Sequence, residues 1–196
     1  MADIQIIKKP DWVSWDVIHE VVYKAHASNR ERGVDIRNAH LSGEELRESL
    51  GEDGVCFVAL DGKKVVATSS VAFHTLNTWY ARKEKVGYGT LSAVLPEYKG
   101  QHLFSKLERT RIEYAKEKGC NGFYGKTAEG NIKRRIIAKK DGYFEVDIRR
   151  TQFHNHNYIV IYKWLGEKPY STSYVKMRYL LSFFKLKINL LLGRIK

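Results

Sequence analysis

The sequence predicts an α/β protein built on one mixed sheet flanked by helices. Three observations carry that expectation. Short apolar runs with strand periodicity recur at the N-terminus and from residue 55 onward. Asp61-Gly62 joins two of them as a hairpin signal, since both residues tolerate positive φ. A long amphipathic helix pattern at 101–118 stands between later strands, so the elements read β-α-α-β-β-β-α-β-α-β-β.

The first strand is DIQIIKK (3–9), ended by Pro10. Residues 11–29 form a helix: Trp12, Trp15, Ile18, Val22 and Ala25 recur at helical spacing, and Asp11 is placed to cap it. Residues 30–40 are polar and read as a loop. LSGEELRESL (41–50) is a short helix opened by Ser42, with Glu45 three residues on as a capping box. Residues 55–62 and 64–74 are strands, 75–85 a loop, and 86–95 a strand. In the helix at 101–118, Leu103, Leu107, Arg111 and Tyr114 mark one side, and Gly119 ends it. A strand at 120–127, a short helix at 131–140 ended by Asp141-Gly142, and strands at 143–153 and 157–165 around a polar HNHN turn complete the set.

The chain has 196 residues, 43% of them hydrophobic, enough for a real core. Cys56 and Cys120 sit in or beside apolar runs without metal-ligand spacing, so they read as buried thiols and no metal is expected. The N-terminus lacks the apolar core of a signal peptide, and no run of about 18 apolar residues occurs. A cytoplasmic location is the expectation. Net charge is +12, which fits nucleic acid, an anionic membrane or an acidic small molecule. The excess lies in 126–150 and in the tail, where eight basic residues from Lys163 onward face the single acid Glu167.

The stretch VLPEYKGQHLFSKL at 94–107 joins a strand to a helix through a turn with one glycine, Gly100. The first N–H groups of a helix lack intrahelical partners and carry the positive end of the helix dipole, so this turn is a candidate anion cradle. Two outcomes are open. His102 and Phe104 adopt right-handed geometry at the helix start and leave the cradle usable, or they block it.

The element order and two local motifs resemble the GNAT superfamily of acyl-CoA-dependent N-acyltransferases over residues ~3–165, which are read as one domain, with 166–196 as an extension. In that family a strand ending in Val, often followed by Pro, leads into R/Q-x-x-G-x-G/A and a long helix. Here Lys99 takes the R/Q position, His102 the first Gly position and Phe104 the second. Asn131 and the pair Gly142-Tyr143 match a second family motif. The resemblance implies an acyl-CoA, expected as acetyl-CoA, lying where strands 86–95 and 120–127 splay apart. A bulge near Ala93 and Val94 would serve the pantetheine arm. The turn Lys99, Gly100, Gln101, His102, Leu103, Phe104 and Ser105 would hold the pyrophosphate, with Asn131 as a further contact. Lys99, Arg134, Arg135, Lys139 and Lys140 are candidate counter-charges for phosphate.

Transfer from a thioester to an amine needs a base, an oxyanion donor and a proton for the leaving thiolate. By the period of two, Tyr88, Thr90 and Ser92 share one strand face, and Tyr88 is the candidate base, with a water relay or His74 as alternatives. His154 and His156 read as exposed. The family's usual general-acid Tyr falls on Ala138 here, leaving Tyr143 or Tyr124 for that role. The resemblance therefore implies a direct-attack N-acyltransferase acting on a primary amine of a sugar, peptide or lipid. A CoA-binding module that has lost catalysis is the alternative. The helices before residue 50 and the segment 75–85, with Trp79, Tyr80 and Arg82, are expected to shape the acceptor pocket.

The tail YVKMRYLLSFFKLKINLLLGRIK has no acid and reads as a basic amphipathic helix, with Leu180, Phe184, Ile188 and Leu191 on one side. It is expected to pack on the domain, on a second subunit as a homodimer, or on the inner face of a membrane. Nucleic acid is not an expected partner, because no recognition motif accompanies the charge.

Overall fold

A computed structural model describes residues 4–31, 33, 37–150 and 156–195. In chain order the elements are β1 (Ile4–Lys8), α1 (Trp15–Ala25), α2 (Ala27–Glu31), α3 (Gly43–Glu48), β2 (Val55–Asp61), β3 (Lys64–Thr78), β4 (Ala81–Val94), α4 (Leu103–Glu117), β5 (Gly122–Ala128), α5 (Ile132–Lys140), β6 (Phe144–Arg150), β7 (Asn157–Trp164) and α6 (Thr172–Leu191). Seven strands form one mixed sheet in the order β1-β2-β3-β4-β5-β7-β6. The expected α/β fold is the one observed.

The chain divides into two compact units: Met1–Thr75 with Gly87–Cys120, and Leu76–Val86 with Asn121–Lys196. Strands β3 and β4 run through both.

In the first unit β1 pairs antiparallel with β2 from Ile4↔Asp61 to Lys8↔Phe57, and β2 with β3 from Val55↔Val71 to Asp61↔Lys64. Alternation along β2 sends side chains to two cores. Val58 and Leu60 join Ile18, Val22 and Leu46 under α1 and α3. Phe57 turns to the other face, its ring 5.6 Å from Tyr114 of α4. Ser14, not Asp11, caps α1 and accepts from Val17 N; Pro10 and the turn after it place Asp11 ahead of the helix start. The Ser42–Glu45 capping box is present at α3.

In the second unit β7 is flanked by β5 and β6, both antiparallel to it. The segment expected as a loop at 75–85 is instead the end of β3 and the start of β4, turning at Trp79-Tyr80. Its charged residues hid a strand: Arg82, Lys83 and Lys85 are exposed while Ala81 and Val86 are buried. The two aromatics serve packing. Tyr80 lies 5.1 Å from Tyr162, Trp79 lies 5.8 Å from Tyr170, and Tyr170 Oη donates to Trp79 O at 2.8 Å. Of the strand expected at 143–153, β6 is described to Arg150; residues 151–153 and His154 lie outside the described residues, and His156 is half-buried rather than exposed.

Candidate active site

The site builds from the last half of β4, within the first unit. Leu91 sits at φ 47° in the middle of this strand, an uncommon conformation for a buried Leu. It changes the alternation. Tyr88 packs on the same core cluster as Leu91, Ala93 and Leu95, although 88 and 91 differ by an odd step. Thr90 Oγ1 accepts from Asn38 Nδ2 at 3.1 Å, whereas Ser92 Oγ meets Arg111 Nη1 of α4 at 2.6 Å. Tyr88, Thr90 and Ser92 therefore do not share one face. An irregularity lies at Leu91, two residues before Ala93-Val94, because a left-handed residue breaks the pleat where it occurs.

Arg111 holds this break. Its Nη1 donates to Thr90 O at 3.4 Å and to Ser92 Oγ, the two neighbours of Leu91, and to Ser70 O of β3 at 3.4 Å. Its Nη2 pairs with Glu108 Oε2 one turn earlier. Both side chains are 4% exposed, so neither charge is solvated and each depends on the other. The sequence showed Arg111 only as one mark on a helix face. A charged residue among apolar helix positions, three after a Glu, was the available signal.

After β4, Leu95 N donates to Val66 O, and a single turn of 3₁₀ helix at Pro96–Tyr98 redirects the chain. Tyr98 Oη donates to Asp61 Oδ2 at 2.7 Å, and Lys64 Nζ lies 3.1 Å from Glu97 Oε1. Gly100 has φ 88° and His102 φ 58°, both left-handed. Of the two outcomes left open, right-handed geometry at His102 is not the one observed: two residues reverse the chain between the 3₁₀ turn and α4, and His102 is the second. This explains why a glycine suits the position. Phe104 does lie in the first turn of α4 and is half-buried.

The N-cap residue His102 makes no side-chain capping bond, and no acid occupies the first turn of α4. Lys99, Gly100, Gln101, His102 and Ser105 are exposed, Leu103 and Ala93 are buried, and Val94 is half-buried. A Cβ built on Gly100 would meet nothing within 4 Å. An uncapped helix start with open space before it and Lys99 beside it suits an anion such as a pyrophosphate.

Two histidines border β4. The exposed His74, within β3, has its ring 5.5 Å from that of Tyr88. His26, the C-cap of α1, was not singled out by the sequence. Its Nδ1 lies 3.0 Å from Asn29 Nδ2, and its ring bonds the Ser92 backbone. Burial lowers its pKa from the ordinary 6.5; the Ser92 bond opposes this, and Arg30 and Lys99 add to the lowering.

The remaining predicted residues lie in the second unit. Asn131 caps α5, its Oδ1 accepting from Arg134 N at 3.1 Å. Arg135 is tied to Glu145 by two bonds of 2.6 and 3.0 Å and to Glu129 O, so its charge is used locally. Tyr143 is 3% exposed, with Arg134 and Lys163 each 5.7 Å from its ring centre. Ala138, at the position of the family's acid, is 1% exposed. Among the described residues no three His, Cys, Asp or Glu side chains gather as a metal site.

The profile of the Acetyltransferase (GNAT) family matches residues 19–143, more than half of the chain. No curated protein matches the sequence significantly. Among solved structures, the ribosomal-protein-S18-alanine N-acetyltransferase from Escherichia coli is similar at 18% identity and TM-score 0.63, over 86% of this chain and 99% of that one. The NatC complex bound to Gag peptide and CoA contains a chain similar at 13% identity and TM-score 0.64, over 83% and 99%. A GNAT family acetyltransferase from Elizabethkingia anophelis with acetyl-CoA bound is similar at 15% identity and TM-score 0.60, over 84% and 100%. At such identities these likenesses speak for the fold, and the profile match carries the assignment: the chain belongs to the GNAT acetyltransferase family.

Proposed function

We propose that the protein is an N-acetyltransferase that moves the acetyl group of acetyl-CoA to a primary amine. The observation that carries the reading is the start of α4, uncapped, without an acid in its first turn and preceded by the two left-handed residues Gly100 and His102. Family membership and a relative with acetyl-CoA bound support the choice of co-substrate. Relatives acting on a protein alanine and binding a peptide favour an amine on a peptide or protein as acceptor.

The amine nitrogen attacks the thioester carbonyl; a C–N bond forms, the C–S bond breaks, and CoA leaves as the thiol. The chain's own tasks are then three. The turn Lys99 to Ser105 receives the pyrophosphate on backbone N–H groups. The broken pleat around Leu91 turns β4 backbone groups, including those near Ala93 and Val94, toward the pantetheine arm. Tyr88 takes the amine proton directly or through water as its own phenolic proton passes to the His74 imidazole beside it.

Thermal unfolding with acetyl-CoA tests the reading. A ligand at a hundredfold its Kd adds about 2.7 kcal/mol, which for a chain of this size raises Tm by roughly 5–11 °C. Thiol release with a panel of peptide, sugar and lipid amines then identifies the acceptor. No Tm shift at millimolar acetyl-CoA overturns co-substrate binding; a shift with no thiol release from any amine points to a binding module.

A further inference from the structure

Helix α6 is apolar on two opposite sides. One side holds Val175 and Leu186, both buried, with Ser182 donating to Asp147 Oδ1 of β6. Tyr179 lies on the same side, where burial and Glu145 push its pKa up to about 12. This side packs on the second unit's own sheet, as the contacts between α6 and β6 show.

The other side is open to solvent. At 100° per residue, Leu180, Leu191, Phe184, Met177, Ile188 and Leu181 fall within about 100° of arc. They are 51%, 86%, 58%, 48%, 54% and 55% exposed. A water-facing stripe of six large apolar side chains along one helix is costly unless something covers it.

The charges say what covers it. Lys176 and Lys187 lie along one border of the stripe, Lys185 and Arg178 along the other. Residues 168–196 contain no Asp or Glu. A two-fold dimer through this stripe would set basic borders against their own copies with no acid between them. An anionic lipid surface has the complementary sign, takes apolar side chains below its headgroups, and lets lysine stems reach up to the phosphates. No helix among the described residues is long and apolar enough to cross a membrane, so the helix lies along the surface.

We infer that α6 docks the protein onto an anionic membrane surface, with Met177, Leu180, Leu181, Phe184, Ile188 and Leu191 in the lipid and the flanking lysines at the phosphates. The inference is independent of the catalytic reading.

Sedimentation of the full chain with phosphatidylcholine vesicles, with and without phosphatidylglycerol, tests it. Binding is expected only with the anionic lipid and to fall as salt is raised. The variant Leu180→Gln/Phe184→Gln/Ile188→Gln is expected to keep the wild-type Tm, since these side chains are exposed, and to bind roughly tenfold or more weakly. The variant Lys176→Gln/Lys185→Gln/Lys187→Gln is expected to weaken partitioning roughly fivefold per lysine. Phe184→Trp is expected to show a blue-shifted emission on anionic vesicles. Wild-type protein that stays in the supernatant, or glutamine variants that bind as well as wild type, overturns the inference. A dimer in light scattering that the apolar triple variant converts to monomer, without vesicle binding, overturns it in favour of self-association.

Discussion

Arg111 Nη1 donates to Ser92 Oγ at 2.6 Å, and the same nitrogen reaches the Thr90 carbonyl at 3.4 Å. One guanidinium thus supports both neighbours of the left-handed Leu91. The break in β4 is held from α4 by a buried cation, whose own charge is balanced by Glu108.

Removing that cation takes its ion-pair partner from the buried Glu108 carboxylate. Arg111→Leu is expected to cost about 3–5 kcal/mol in urea unfolding. Arg111→Leu/Glu108→Leu is expected to recover part of the loss, because the uncompensated charge is gone. Equal stability of the single and double variants would show that Glu108 does not depend on Arg111.

The left-handed His102 gives a test of opposite sign. His102→Gly removes about 1–2 kcal/mol of backbone strain and adds roughly 0.5–1 kcal/mol of chain entropy cost, so stability is expected to stay level or rise slightly. His102→Val, branched at Cβ, is expected to lower it. Denaturant midpoints of the two variants decide, and the acetyl-CoA Tm shift is expected to survive His102→Gly.

His26 sets an acid limb. Its folded-state pKa is lowered, so as pH falls below 6.5 the unfolded chain takes up the proton first and stability is lost until the folded value is passed. Above 6.5 both states are neutral and the contribution is constant. The slope from one such group is at most about 1.4 kcal/mol per pH unit. His26→Gln is expected to flatten stability against pH below 6.5; an unchanged profile would refute this.

In the second unit, a Cβ added to Gly122 would lie 1.7 Å from Tyr162 Oη. Tyr162 is fully buried. Gly122→Ala is expected to cost about 1–3 kcal/mol by overpacking, and Tyr162→Phe in that background is expected to restore part of it. Calorimetric Tm values of the single and double variants check this.

Tyr88→Phe tests the proposed proton acceptor. A positioned base contributes typically 10²–10⁴-fold, so kcat for thiol release is expected to fall by at least about a hundredfold with the acetyl-CoA Tm shift retained. A kcat within a few-fold of wild type would assign the proton to water or to His74.

Much of this was legible along the chain. The order of helices and strands followed from periodicity, because each amphipathic face is written locally. The capping box at Ser42 and Glu45 and the helix start after Gly100 are likewise contacts within a few residues. What the sequence could not show was everything that depends on partners far apart. The strands at 76–78 and 81–85 looked polar, since the aromatic cluster that folds them around Trp79 and Tyr80 comes from residues 162, 170 and 174. The break at Leu91 and the reversal of Ser92 have no marker in GYGTLSAV; they exist because Arg111, nineteen residues away, meets Ser92. His26 became a neighbour of Ser92 only when α1 packed on β4. Local alternation and capping were determined by the sequence itself, whereas the pleat break, the buried charge and the two apolar sides of α6 were decided by tertiary packing. Which face of an element meets protein and which meets solvent depends on what the fold brings against it.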